Sequence, residues 1–128
     1  MKLLHTALQF EKEENAKFVM EGILKLKLKK EFPLDKNLCR EIFGIEENYK
    51  VKVYELRNAD LEVFIGKRFP CAGLFHVAIG MPPAEREEII KTARSFGLKM
   101  FEKERAGKDK LVFIAGPEGN LFELKSGN

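Results

Sequence analysis

The chain has only two histidines, and both occupy the same position of a repeated segment. His5 and His76 each stand in the pattern Leu-x-His-x-Ala followed by an aliphatic residue. A single carboxylate also recurs within an apolar run near the end of each half, as Glu62 and as Glu123. Two imidazoles and two carboxylates suit a divalent transition metal that keeps open or water-filled positions. The first chemistry that the sequence indicates is therefore metal binding.

Strand alternation predicts that these four side chains share one side of the fold. Successive side chains of a strand point to opposite faces, so His5, Glu62, His76 and Glu123 are expected to face away from the helix-covered core. If the two sheets curl toward each other, that side is a metal cleft. The side chains predicted to face the helices are Leu4, Leu8, Leu61, Val63, Phe75, Val77, Ile79, Phe122 and Leu124.

The helices and strands that must position these residues follow the same order in both halves of the chain. Each half reads as β-α-β-β-β, which predicts an α+β fold of two modules with curved mixed sheets. We expect one domain over residues 1–128, with modules at 1–66 and 73–128 and a linker over 66–73. Helices are predicted over 11–22 and 83–96, and strands over 3–8, 24–29, 49–57, 61–65, 74–79, 98–103, 110–115 and 121–125.

The second predicted helix has an apolar stripe and a charged face. The stripe contains Ile89, Ile90, Ala93 and Phe96, and the residues predicted to face solvent are Glu85, Arg86, Glu88 and Lys91.

Residues 33–48 have no counterpart in the second half. Within them, Asp35 is predicted to cap a short helix that ends at Gly44. An insertion of this kind is typical of a loop reshaped for substrate or for dimer contacts, and the sequence leaves both open.

Composition limits the classes of function. The chain has 128 residues, of which 45% are hydrophobic and 34% charged, and its net charge of +3 argues against a nucleic-acid partner. No apolar stretch approaches the roughly 18 residues of a membrane-spanning helix, and no signal peptide is recognisable, so we expect a soluble cytoplasmic protein without a membrane partner. Cys39 and Cys71 lack metal or redox spacing and are predicted to be ordinary thiols.

The repeat resembles the vicinal oxygen chelate superfamily, which includes glyoxalases, bleomycin resistance proteins and dioxygenases. The resemblance rests on residues 2–8, 75–79, 111–114 and 116–124, and residues 2–8 are most similar to bacterial glyoxalase I. In that family the four matching positions hold the metal. The resemblance therefore implies His5, Glu62, His76 and Glu123 as ligands of a divalent ion such as Zn, Ni, Co, Fe or Mn.

The activity implied is that of a metal-dependent lyase or isomerase. It would convert a hemithioacetal into a 2-hydroxyacyl thioester through a metal-bound enediolate, with Glu123 as general base and Glu62 as ligand or second base. Lys108 and Lys110 are candidates for holding an anionic thiol cofactor, or are ordinary solvated loop charges. Gln9 stands where that family usually has an arginine for glutathione, which argues against glutathione itself.

Other members of the superfamily supply the alternatives. They are an acyl-CoA epimerase, a ring-cleaving dioxygenase with a 2-His-1-carboxylate iron site, and a metal-free protein that binds small molecules and confers resistance. Every alternative has a small-molecule ligand as partner. A homodimer is expected in each case, because open sheets leave edges to cover.

Overall fold

The computed structural model describes residues 4–69 and 76–127. The chain divides into two compact units, Met1–Pro70 and Cys71–Asn128. Each unit contains a four-stranded mixed sheet with helical segments, so the predicted α+β class of two β-α-β-β-β modules is confirmed. Among the described residues no helix is long and apolar enough to cross a membrane.

In the first module the strands lie in the order β1-β4-β3-β2. β1 runs parallel to β4, and the remaining pairs are antiparallel. The elements are β1 (His5–Phe10), α1 (Glu13–Lys17), a π-helix (Phe18–Ile23), β2 (Lys27–Leu34), α2 (Lys36–Phe43), β3 (Tyr49–Glu55) and β4 (Asp60–Ile65).

The second module repeats this arrangement, with strand order β5-β8-β7-β6 and a parallel pair of β5 and β8. Its antiparallel pairs are β6 with β7 and β7 with β8. The elements are β5 (Val77–Met81), α3 (Pro83–Ser95), β6 (Lys99–Lys103), β7 (Leu111–Ala115) and β8 (Leu121–Ser126).

β4, β7 and β8 alternate between buried and partly exposed side chains, as the sequence predicts, whereas four consecutive residues of β3 are buried. Leu61 and Val63 in β4 and Phe122 and Leu124 in β8 are almost fully buried, and the residues between them are not. Leu4 is an exception, because it precedes β1 and is 68% exposed. The prediction that Leu4 faces the core is therefore wrong. Phe75 lies outside the described residues, as do Cys71 and the second half of the predicted linker, residues 70–73.

The first helical segment ends in an unexpected way. The sequence predicts a helix to Gly22 and a strand from Leu24, but the π-helix continues to Ile23 and β2 begins only at Lys27. Lys25 has a φ of 57°, a left-handed conformation that stops the helix without a glycine. The Leu26 N–H donates to the Met20 carbonyl at 2.8 Å. This termination uses the first residues of the predicted strand.

Two predictions for α3 are wrong. Arg86, predicted to face solvent, is 7% exposed, and Phe96, predicted to be buried, is 60% exposed. Arg86 lies on the same helical stripe as Ile89 and Ile90, and its Nη1 binds both carboxylate oxygens of Asp109 at 2.8–2.9 Å. Phe96 follows Ser95, the last residue of α3, so the helical spacing that places Ile89 and Ile90 over the core no longer applies to it.

The inserted helix forms as predicted. Asp35 accepts hydrogen bonds from the backbone N–H groups of Asn37 and Leu38, both at 2.9 Å, and Gly44 follows the helix with a φ of 71°. Cys39 on this helix is a buried free thiol, as the sequence indicates.

Candidate metal centre

The first module brings His5 and Glu62 together. His5 begins β1 and Glu62 lies in β4, and the parallel pairing of these strands places both side chains on the sheet face opposite α1 and the π-helix. His5 Nε2 is 3.7 Å from Glu62 Oε2. The imidazole is 55% exposed and the carboxylate 21% exposed, so the carboxylate is the more shielded member of the pair.

The second module repeats this pair in the equivalent place. His76 immediately precedes β5, Glu123 lies in β8, and His76 Nε2 is 3.3 Å from Glu123 Oε2. The exposed fractions are 38% for His76 and 13% for Glu123. The Phe113 ring packs edge-on against the His76 ring, with 5.5 Å between the ring centroids. This aromatic contact restricts the orientation of the His76 imidazole.

The spacing within the second pair fits two ligands of one ion, and the spacing within the first pair comes close to it. Two ligand atoms that each bind a metal at about 2.1 Å, at an angle of about 90 to 109°, lie roughly 3.0 to 3.4 Å apart. The second pair is within this range, and the first is wider by a few tenths of an ångström. Imidazole nitrogen and carboxylate oxygen are also donors that suit a borderline divalent ion.

Neither pair is a complete metal site by itself. Protein metal sites usually use three or four protein ligands. In the part of the chain that the structure describes, no group of three or more His, Cys, Asp or Glu side chains could hold a metal ion. The four predicted ligands lie as two His–Glu pairs, one in each module, and each pair is termed a half-site because the predicted metal would need both.

Lys125 contacts the second half-site and was not predicted from the sequence. Its Nζ lies 3.2 Å from Glu123 Oε1, while Oε2 of the same carboxylate faces His76. The two oxygens of Glu123 are thus distinguished by their neighbours. The signal in the sequence was the spacing of two residues along β8, which places Lys125 and Glu123 on one face.

The corresponding face of the first module is covered. Phe64, two residues after Glu62, packs edge-on against Phe43 and Tyr49, with ring centroids 5.8 and 6.0 Å apart. On this face lies a small hydrophobic core, which is formed by Leu34, Cys39, Tyr49, Val51 and Val53. The inserted helix α2 supplies Cys39, so part of the insertion covers the sheet face that carries Glu62.

The two predicted cofactor lysines differ in their surroundings. Lys108 is exposed on the loop before β7. Lys110 Nζ lies 3.3 Å from Glu102 and 3.7 Å from Glu87. Although burial raises the pKa of Glu102, hydrogen bonds from Arg94 and Lys110 leave it below its ordinary value. The charge of Lys110 therefore already has acidic partners.

The fold has clear counterparts among solved structures. A mutant of the fosfomycin resistance protein FosX from Listeria monocytogenes, complexed with Mn(II) and 1S,2S-dihydroxypropylphosphonic acid, has a TM-score of 0.71 and 19% identity over 98% of this chain and 92% of its own. A glyoxalase family protein from Enterococcus faecalis has a TM-score of 0.70, with 21% identity over 96% and 95% of the two chains.

A third counterpart is a glyoxalase family protein from Bacillus cereus, with a TM-score of 0.78 and 13% identity over 98% of this chain and 93% of its own. No protein-family model matches the sequence, and no curated protein is significantly similar to it. The fold and the repeated His–Glu pairs define a two-module α+β protein. Its structural neighbours belong to the vicinal oxygen chelate superfamily, and the predicted resemblance is confirmed at the level of that fold.

Proposed function

We propose that the protein is a metal-dependent lyase or isomerase of the glyoxalase I-like type. His5, Glu62, His76 and Glu123 would together hold one divalent ion, each module contributing a pair. The observation that carries the proposal is the recurrence of a His Nε2 within 3.3 to 3.7 Å of a Glu Oε2 at equivalent places of both sheets. The Mn(II) bound to the FosX neighbour supports a divalent ion in this fold.

The reaction proposed moves one proton from the carbon that bears the hydroxyl group to the adjacent carbonyl carbon, while the hydroxyl proton passes to the former carbonyl oxygen. A divalent ion at this site would act as a Lewis acid, stabilising the negative charge that develops on the substrate oxygens. Glu123 takes the proton from the carbon next to the carbonyl and returns it to the neighbouring carbon. No oxidant or reductant is consumed, because the product is an isomer of the substrate.

Two features of the second half-site support Glu123 as the base. Its carboxylate is the more buried of the two glutamates, which strengthens electrostatic interactions with a substrate. Lys125 holds Oε1, which restricts rotation of the carboxylate and keeps Oε2 beside His76. Glu62 serves as a ligand or as a second base. The homodimer stays a prediction.

The test is a turnover screen with metal analysis. Protein loaded separately with Zn²⁺, Ni²⁺, Co²⁺ or Mn²⁺ is assayed with hemithioacetals of methylglyoxal and several thiols, and with acyl-CoA epimers. With substrate that carries deuterium on the carbon next to the carbonyl, the active combination should turn over more slowly than with unlabelled substrate, because Glu123 breaks this carbon–hydrogen bond. Glu123→Gln should lose turnover, whereas Glu104→Gln, which changes an exposed carboxylate, should keep it.

The proposal fails if His76→Ala and Glu123→Gln retain as much metal as the unmodified protein. Metal binding without turnover of any hemithioacetal or epimer would instead favour the binding and resistance alternative. Dioxygen uptake with catechols and Fe²⁺ would favour the dioxygenase alternative.

A further inference from the structure

The Glu123 face of the second sheet carries an open groove of about 530 Å³. This volume falls within the range of small-molecule pockets, about 300–1,000 Å³. The groove runs across β6 and β7 toward the turn before β8. Its principal lining side chains are Lys99, Phe101, Phe113, Ala115, Pro117 and Leu121.

Phe113 joins this groove to the second half-site. It lines the groove, it is the cross-strand partner of Glu123, and its ring contacts the His76 ring. Phe101 is in turn the cross-strand partner of Phe113. Directly opposed residues of neighbouring strands share a sheet face, so the two aromatic rings lead away from Glu123 along one surface.

The lining combines exposed apolar surface with a single charge. Phe101 is 52% exposed and Leu121 is 37% exposed, which is unfavourable in water unless a ligand covers them. Among the described residues that line the groove, Lys99 is the sole charged one, and none of them is a carboxylate. Within the described ranges Lys99 also has no ion-pair partner. The surface therefore complements a molecule that has an apolar body and a negative charge.

The first module does not offer the same surface. Its Glu62 has Val53 as cross-strand partner where Glu123 has Phe113, and Val53 is buried in the small core beneath α2. The difference between the modules follows from the inserted helix. Of the two faces, the one in the second module is the open one with aromatic lining.

We infer that this groove binds a small organic anion with an apolar or aromatic body, its charge beside Lys99 and its other end toward His76 and Glu123. The inference deepens the proposed function and rests on it only for the orientation of the ligand. It names the substrate class as an amphipathic anion rather than a compact polar one.

The probe is 8-anilinonaphthalene-1-sulfonate, which has an aromatic body and one sulfonate. Its fluorescence is titrated against full-length protein in chelator, alongside the neutral analogue N-phenyl-1-naphthylamine. We expect Phe101→Ala to weaken binding of both probes by about fivefold to tenfold, the loss of one aromatic contact. Lys99→Gln should weaken binding of the sulfonate probe by about threefold and leave the affinity for the neutral probe unchanged.

Two matched variants control for other exposed apolar surfaces. Phe96→Ala removes an exposed ring at the end of α3, and Ile42→Ser removes an exposed side chain of α2. Both should bind the probes as the unmodified protein does. Circular dichroism verifies that each variant is folded.

Equal probe affinity in Phe101→Ala and the unmodified protein would overturn the inference, as would a loss in Phe96→Ala or Ile42→Ser of the same size as in Phe101→Ala. A loss of probe binding as protein concentration rises would also overturn it, since a second copy would then cover the groove. Metal content is measured on separate, chelator-free portions of the same protein preparations after loading with each divalent ion. If the protein binds the probes in the groove but has no affinity for metal, the proposed function alone fails. If it binds metal but Phe101→Ala does not weaken probe binding, this inference alone fails.

Discussion

At the scale of single residues, Asp109 connects three parts of the second module. It accepts two hydrogen bonds from Arg86 on α3 and one at 2.9 Å from the backbone N–H of Ser126 at the end of β8. Asp109 itself lies on the loop before β7. The Ser126 N–H and then Arg86 lower the pKa of this carboxyl below its ordinary value of 3.8.

The lowered pKa makes the stability of the protein depend on pH in a defined direction. A carboxyl with a depressed pKa stabilises the folded state above its unfolded pKa, and this contribution is lost as the pH falls through the folded pKa. We therefore expect Asp109→Asn to lower the melting temperature at neutral pH. The difference from the unmodified protein should shrink below about pH 4 and vanish at lower pH.

Thermal unfolding followed by circular dichroism between neutral and acidic pH tests this expectation. Glu104→Gln serves as the control, because it changes an exposed carboxyl of the same module. A difference for Asp109→Asn that is as large in acid as at neutral pH would contradict the role of the charge.

Arg86 also shows how far alternation and helical spacing can be used. Arg86 is four residues before Ile90 and therefore on the apolar stripe of α3, yet its charge suggests an exposed position. Burial of this charge depends on Asp109, which is distant in sequence and lies on a loop. The charge of Arg86 led to the wrong prediction that it faces solvent, because its partner Asp109 is known only from the tertiary structure.

At the scale of elements, α2 decides how the two modules differ. Its residue Cys39 is 1% exposed and belongs to the small core over the Glu62 face of the first sheet. Leu38, Ile42 and Phe43 are exposed on the same helix. The helix thus covers part of one sheet face and presents apolar side chains outward.

The Asp35 cap should determine how firmly this cover is held. Replacing an N-cap Asp by Ala costs about 1 kcal/mol, so Asp35→Ala should open α2 about five times more often. In a Cys71→Ser background, the rate at which Cys39 reacts with a thiol reagent reports this opening. We expect that rate to rise about fivefold.

Asp35→Asn is the matched variant, because asparagine also accepts hydrogen bonds at an N-cap. Its Cys39 should react nearly as slowly as that of the parent protein. If Asp35→Ala and Asp35→Asn reacted equally fast, the cap would not be what holds α2 in place.

At the scale of the whole molecule, the repeat predicts that the two half-sites act together. If one ion uses both pairs, the protein should take up one metal ion per chain. Removing either pair should abolish metal uptake as fully as removing both. The two double variants are His5→Ala with Glu62→Gln, and His76→Ala with Glu123→Gln. This loss would be non-additive because all four residues serve one site.

Metal-dependent stabilisation provides the measurement. A ligand at 100 times its dissociation constant stabilises the folded state by about 2.7 kcal/mol, which raises the melting temperature by several degrees. The unmodified protein should show this rise with its preferred ion, and neither pair variant should show it. Two ions per chain, one of which is lost with each pair, would mean that the half-sites bind metal separately.

The sequence by itself determined the repeated β-α-β-β-β modules, the α+β class and the short helix between Asp35 and Gly44. It also placed the side chains of His5, Glu62, His76 and Glu123 on the faces away from the helices. These features depend on local spacing, turn residues and caps, because alternation in a strand fixes which face a side chain occupies.

The tertiary structure decided what each of those residues touches. It revealed the burial of Arg86 against Asp109, the left-handed stop at Lys25, the contact of Lys125 with Glu123, and the core that α2 forms over one sheet face. The physical reason is that partners distant in sequence meet only when the sheets form. The same local pattern therefore leads to a covered face in the first module and an open aromatic groove in the second.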